Sequence, residues 1–124
     1  MTAAAWRVAL AVTVVVQLLV LYWPDPGGPE GVPHLDKVVH LLVFGAVALT
    51  GRLAGLPARL LAVLLAAHAM VSELVQHAFL PGRSGDLLDV AADLAGTAVG
   101  LLLAGALLRA RVARLTGAGD HGSP

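Results

Sequence analysis

The chain has 124 residues, of which 58% are hydrophobic and only 13% are charged, and its formal net charge is zero. This composition excludes an ordinary water-soluble domain, because too few charged residues are present to cover its surface, and it indicates a membrane protein. The neutral charge argues against a nucleic-acid partner, and the lack of cysteine excludes disulfides and thiol chemistry.

Four apolar segments approach the roughly 20 residues that a helix needs to cross a bilayer core of about 30 Å. The first covers about residues 3–23, and it ends in an interfacial aromatic pair, Tyr22 and Trp23, followed by the helix-stopping Pro24. No small-residue cleavage pattern follows it, so we expect a retained span rather than a signal peptide. The other three segments cover about residues 36–53, 59–79 and 87–108.

The connections between these segments have the composition of loops and turns. Residues 24–35, 52–58 and 80–86 all contain Pro and Gly, which interrupt helices. The Gly-rich tail at 116–124 is predicted to be disordered. The sequence therefore predicts one all-α domain over residues 1–115, a four-helix transmembrane bundle.

The distribution of basic residues predicts the orientation of the bundle. Six of the eight basic residues flank the start of the first span, the second turn and the end of the last span. They are Arg7, Arg52, Arg59, Arg109, Arg111 and Arg114. Since basic residues favour the cytoplasmic side, we expect both termini in the cytoplasm, in a multi-pass protein of the cell membrane. Anionic membrane lipids are the expected neighbours of the last three arginines.

The remaining polar residues concentrate at the opposite, external end of the predicted bundle. They come from the start of the second span, the end of the third, the following turn and the start of the fourth. The candidates for a ligand-binding or polar layer are Asp36, Lys37, His40, Glu73, Gln76, Arg83, Asp86, Asp89 and Asp93. An ionised carboxylate within a span costs about 2.5–3.5 kcal/mol on insertion scales unless it is paired or hydrated. We therefore expect these side chains to gather around one another.

The spacing on the fourth span indicates which face of that helix points inward. Steps of three and four residues connect Asp86, Asp89, Asp93, Gly96 and Gly100 into one stripe. Its lower half has the G-x-x-x-G pattern, which lets another helix approach closely. We predict that Gly96 and Gly100 pack against a neighbouring helix and that the acids above them face the bundle interior.

Two stretches resemble the VanZ-like family. "DKVVHLLVFGAVAL" is similar to its D-K-x-x-H-x-x-x-F pattern, and "ELVQHAFLPGRSGDLLDVAADLAGTAVG" is similar to its E-x-x-Q, P-G-R, D-x-x-D and G-x-x-x-G patterns. Asp93 departs from the Asn that the family usually has. The resemblance covers about residues 36–100 and implies a small polytopic bacterial membrane protein. The family is named for a member linked to teicoplanin resistance, so it implies an effect on glycopeptide susceptibility.

The residues themselves leave the role of the polar layer open. It is either a network that fixes helix register or a site for a cell-envelope component such as a lipid-linked cell-wall precursor. In a site, Lys37, Arg83 and a protonated His would hold a phosphate, and Asp89 or Glu73 would be the base of an enzyme acting on a lipid-linked phosphate or saccharide. A non-enzymatic scaffold is the third alternative.

The sequence predicts neither a metal nor another cofactor. His40, Glu73, His77, Asp89 and Asp93 are residue types that bind divalent ions. However, they form no H-E-x-x-H or D-D-x-x-D signature. In the middle of the third span, His68 is predicted to be a neutral histidine with a hydrogen bond between helices.

Overall fold

The computed structural model of the chain describes residues 1–23, 34–80 and 87–117. Within these ranges 91% of the residues are helical, and there is no strand. Helix α1 spans Ala3–Tyr22, α2 spans Leu35–Leu53, α3 spans Ala58–Phe79 and α4 spans Leu87–Gly117. The prediction of an all-α protein with four helices is confirmed.

Local sequence signals explain where α1 and α3 begin and where α2 ends. Thr2 caps α1, since its hydroxyl oxygen accepts a hydrogen bond from the Ala5 amide. Between α2 and α3 the chain reverses through Gly55, whose φ of +102° suits a residue without Cβ. Pro57 then precedes α3 in an extended conformation.

The fourth helix is longer than its predicted span. α4 continues from residue 108 to Gly117 because residues 106–116 contain neither Pro nor Gly and are mostly Ala, Leu and Arg, which favour helices. Residues 116 and 117 of the predicted tail are therefore helical. The rest of that tail lies outside the described residues.

Helix α2 is the centre of the bundle. It contacts α1, α3 and α4, and its interface with α4 is the most extensive in the molecule. Phe44, Val47 and Ala48 of α2 are buried in the core beside Leu21 of α1 and Leu65 of α3. The antiparallel order of the helices places the start of α2, the end of α3 and the start of α4 at one end of the molecule.

Two glycines of α4 make the close α2–α4 interface possible. A Cβ built on Gly96 would clash with the carbonyl oxygen of Leu41, and one on Gly100 would clash with the carbonyl oxygen of Gly45. The obstacles are backbone atoms of α2, so only glycine permits this helix separation. Gly96 and Gly100, which follow Asp89 and Asp93 along α4, thus hold this part of the helix against α2.

Three of the helices are long and apolar enough to cross a membrane, namely α1, α3 and α4. The uninterrupted apolar part of α2 is shorter, because its 19 residues include Asp36, Lys37 and Arg52. Large apolar side chains are exposed around the bundle, among them Val63 and Leu102. This outward-facing apolar surface is typical of an integral membrane protein. The N-in/C-in orientation stays a prediction.

Candidate functional site

Polar side chains are buried together at one end of the bundle. Their exposed fractions are small: 4% for His40, 7% for Glu73, 6% for Asp89 and 0% for Asp93. His40 lies on α2, Glu73 on α3, and the two aspartates on α4. Side chains from three helices therefore meet in the interior, as expected for ionisable groups that must avoid hydrocarbon.

His40 is the centre of the most deeply buried group. Its Nδ1 lies 2.9 Å from Oδ1 of Asp93 and 3.9 Å from Oε1 of Glu73. One ligand atom from each residue lies within 4.8 Å of the other two. We call His40, Glu73 and Asp93 the histidine cluster. It joins α2, α3 and α4 through charge-assisted contacts when His40 is protonated.

Lys37 extends this network toward the helix ends. Its Nζ donates to Oδ2 of Asp36 at 2.9 Å and to Oδ1 of Asp89 at 3.2 Å. The side chain of Lys37 is 21% exposed and that of Asp36 is 56% exposed, whereas that of Asp89 is 9% exposed. Lys37 thus connects a buried carboxylate with an accessible one, at the rim of the polar end.

Gln76 contacts the backbone of α1 rather than the charged side chains. It is 2% exposed, and its Nε2 donates to the backbone carbonyl of Leu21 at 3.0 Å. That carbonyl belongs to the last turn of α1, where carbonyls lack a partner within the helix. Gln76 therefore ties α3 to the end of α1, which is a structural contact.

The other predicted layer residues are not all buried with the histidine cluster. Asp36 is exposed at the rim. His77, which was not among the layer candidates, lies one turn from Glu73 on α3 and is also exposed. Arg83 and Asp86 lie outside the described residues, so their participation stays a prediction.

Two interhelical contacts lie deeper in the bundle. The Tyr22 hydroxyl lies 3.2 Å from Nε2 of His68, so the predicted interhelical hydrogen bond of His68 is present. The hydroxyl groups of Thr13 and Thr50 lie 3.0 Å apart and connect α1 with α2. Neither Thr13 nor Thr50 was predicted from the sequence to make an interhelical contact. Their signal was present, since each is an isolated polar residue in an apolar segment.

The polar end carries more negative than positive formal charge. Its described residues include four carboxylates, on Asp36, Glu73, Asp89 and Asp93, but only Lys37 as a permanent cation. In the segment 81–86, Arg83 and Asp86 cancel in formal charge. The carboxylates suit a cation, a proton or a hydrogen-bond donor, whereas Lys37 is the described residue at this end that could pair with an anionic group.

Two cavities among the described residues lie away from the histidine cluster. One, of about 220 Å³, is lined by Trp6, Leu53, Arg111 and Arg114 among others, at the opposite end. The other, of about 250 Å³, is an apolar groove along the α2–α4 interface near Gly45 and Gly100.

No protein-family model matches the chain, and no curated protein or solved structure is significantly similar to it. The resemblance to the VanZ-like family therefore stays a prediction that depends on the motifs in residues 36–100.

Proposed function

We propose that this integral membrane protein engages a component of the cell envelope with its polar end, and that this end faces outward. As the VanZ-like resemblance implies, the effect would be a change in susceptibility to glycopeptide-type antibiotics. One observation carries the proposal: ionisable side chains from three helices meet at one end of the bundle, where His40, Glu73, Asp89 and Asp93 are buried and Lys37 pairs with Asp89 from the rim.

The cost of this arrangement favours a functional role. Burying ions requires desolvation of several kcal/mol per ion in real proteins, and apolar replacements of similar volume are often as stable or more stable. The tight α2–α4 interface at Gly96 and Gly100 already fixes the position of these helices. A bundle that needed only packing would therefore have little use for Asp93 and Glu73 in its interior.

The rim of the polar end offers the accessible groups for a first contact. Lys37 is partly exposed beside the exposed Asp36, so one cation and one carboxylate face the same region. A lipid-linked cell-wall precursor carries phosphate groups and a peptide with N–H donors. Lys37 would pair with its phosphate, with Arg83 as a second predicted cation, and the carboxylates would accept hydrogen bonds from its peptide.

A non-enzymatic scaffold is the second candidate function. The pairs His40–Asp93 and Lys37–Asp89 connect α2 with α4 at 2.9 Å and 3.2 Å. Pairs of this kind fix helix register, and the bundle would then present another surface to a partner protein. The two candidates differ in whether the rim groups contact a ligand.

Antibiotic susceptibility of a bacterial host that expresses the chain tests the proposal. We expect expression to raise the inhibitory concentration of teicoplanin and Lys37→Met to remove this effect at an unchanged amount of membrane-inserted protein. Arg114→Met is the matched control, because it removes one positive charge from an exposed position at the other end, and it should retain the effect. If both variants keep the effect, or if expression changes no inhibitory concentration, the proposed contact at Lys37 is wrong.

A further inference from the structure

We infer that the histidine cluster binds one divalent transition-metal ion through Nδ1 of His40 and the carboxylates of Glu73 and Asp93. Ions that accept both imidazole and carboxylate ligands, such as Mn²⁺ and Zn²⁺, are the class that suits this set. The inference goes beyond the proposed function, since the purified protein would bind the ion whether or not it changes antibiotic susceptibility.

The distances within the cluster are within about 1 Å of those that a single ion imposes on its ligands, and the ion would replace the hydrogen bond between His40 and Asp93. With metal–ligand bonds of about 2.0–2.2 Å, neighbouring ligand atoms lie about 3–3.5 Å apart and opposite ones about 4.2 Å apart. His40 Nδ1 lies 2.9 Å from Asp93 Oδ1 and 3.9 Å from Glu73 Oε1. All three ligand atoms lie within 4.8 Å of one another, so shifts below about 1 Å would complete the coordination.

A second, independent observation comes from the other oxygen of Asp93. Its Oδ2 is buried and has no hydrogen-bond partner among the described residues, in a residue that is 0% exposed. An unsatisfied buried polar atom costs about 1–3 kcal/mol, and more when it is charged. An ion bound beside Oδ1 would also be within reach of Oδ2, and bidentate coordination would satisfy both oxygens.

The charge of the ligand set suits a divalent ion. Two ionised carboxylates and a neutral His40 carry a formal charge of −2, which is the ligand charge that balances one divalent ion.

The position of the cluster also suits a metal site. The ligands come from three different helices, α2, α3 and α4, so they are held by the packing of the bundle. The hydroxyl of Thr97 donates to the backbone carbonyl of Asp93 at 2.9 Å, and Gly96 holds this part of α4 against α2. A ligand set on rigid elements retains its geometry better than one on loops.

Metal binding to the purified full chain in nanodiscs tests the inference. After treatment with EDTA, titration with MnCl₂ or ZnCl₂ should give one equivalent with a Kd of about 10 μM or tighter by calorimetry. We expect Asp93→Asn and Glu73→Gln to weaken binding at least about tenfold. Asp36→Asn makes the same charge change at an exposed position, and His77→Gln removes an exposed histidine, so both should bind within about twofold of the unaltered chain.

Two outcomes would overturn the inference. One is that the unaltered chain binds less than one equivalent up to about 100 μM metal. The other is that Asp93→Asn and Glu73→Gln, checked for folding by circular dichroism, bind as tightly as the unaltered chain. An internal ion pair between His40 and Asp93 would then be the whole role of the cluster.

X-ray absorption of the Zn²⁺-loaded, unaltered chain keeps the inference testable if a variant does not fold. The spectrum should show one imidazole nitrogen and otherwise oxygen ligands. Two or more imidazoles would place the ion on other histidines of the chain and would overturn the assignment. Metal binding without any change in teicoplanin susceptibility would contradict the proposed function and leave the metal site intact. A change in susceptibility without metal binding would contradict the metal site and leave the proposed function intact.

Discussion

The two ends of the bundle use charge in opposite ways. At the end that we call the basic end, Arg109, Arg111 and Arg114 are exposed on the last turns of α4. At the other end, Asp89 and Asp93 of the same helix are buried and paired with Lys37 and His40 of α2. One helix thus carries exposed cations at its end and buried anions at its start.

This difference separates two kinds of information in the sequence. Exposed arginines influence orientation through their positive charge and its attraction to anionic lipids, so their exact partners within the protein matter little. Buried carboxylates act through specific neighbours at defined distances, and removal of a single partner leaves a charge uncompensated. Substitutions at the polar end should therefore affect stability far more than substitutions at the basic end.

The largest effect is expected for His40→Leu. It removes the hydrogen-bond partner of Asp93, whose side chain is 0% exposed and whose Oδ1 lies 2.9 Å from Nδ1 of His40. Removing one partner of a buried ion pair destabilises a protein by about 3–5 kcal/mol. Thermal unfolding in detergent, followed by circular dichroism, should show a strongly reduced midpoint.

Two controls accompany His40→Leu. His77→Leu replaces an exposed histidine on α3, and Arg109→Leu replaces an exposed cation at the basic end. Both should change stability by about 0.5 kcal/mol or less. Equal destabilisation by His40→Leu and Arg109→Leu would show that the two ends do not differ in this respect.

A smaller effect is expected for Gly96→Ala, which tests the helix contact beneath the polar end. The added Cβ would clash with the backbone carbonyl of Leu41, so α2 and α4 must move apart. Overpacking of this kind costs about 1–3 kcal/mol, measured as a loss of unfolding midpoint. Separation of the helices should also weaken the contacts of His40 with Asp93.

The matched control is Gly105→Ala in the basic half of α4. A Cβ at Gly105 would meet only the side chain of Arg109, at 3.7 Å. Since Ala favours helix by about 1 kcal/mol over Gly, this variant should be as stable as the unaltered chain or more so. Destabilisation by Gly105→Ala as large as by Gly96→Ala would contradict the assigned role of the α2–α4 contact.

The sequence allowed the helices to be predicted well because apolar runs and Pro-Gly interruptions are local signals. The helix-helix stripe of Gly96 and Gly100 was also readable from spacing. What could not be read was which partners each polar residue has, because Lys37–Asp89 and His40–Asp93 join residues 52 and 53 positions apart. Such pairs depend on the rotation of α2 against α4, and no local pattern encodes this rotation.

The burial of single residues was equally hard to predict. Asp36 and His40 are one turn apart on α2, yet Asp36 is exposed and His40 is buried. Asp36 lies in the first turn of α2, whereas His40 lies one turn further along and faces Asp93. Helical spacing places two residues on one face, but it does not tell how far along the helix the neighbouring helices cover that face.

The smallest effect on stability, and the sharpest separation of the two ends, is expected for joint replacement of Arg109, Arg111 and Arg114 by Gln. All three are exposed, so unfolding in detergent should change by only about 0.5 kcal/mol per site or less. The orientation of the bundle in the membrane should change instead, because basic residues near the end of a span retain that end in the cytoplasm.

A reporter that is active only outside the cytoplasm, fused after Leu115, measures this orientation. It should be inactive on the unaltered chain and gain activity on the triple variant. Replacing Asp36 by Asn should leave the reporter silent, since acidic residues contribute little to orientation. An active reporter on the unaltered chain would place the polar end in the cytoplasm, where it could not meet an external envelope component.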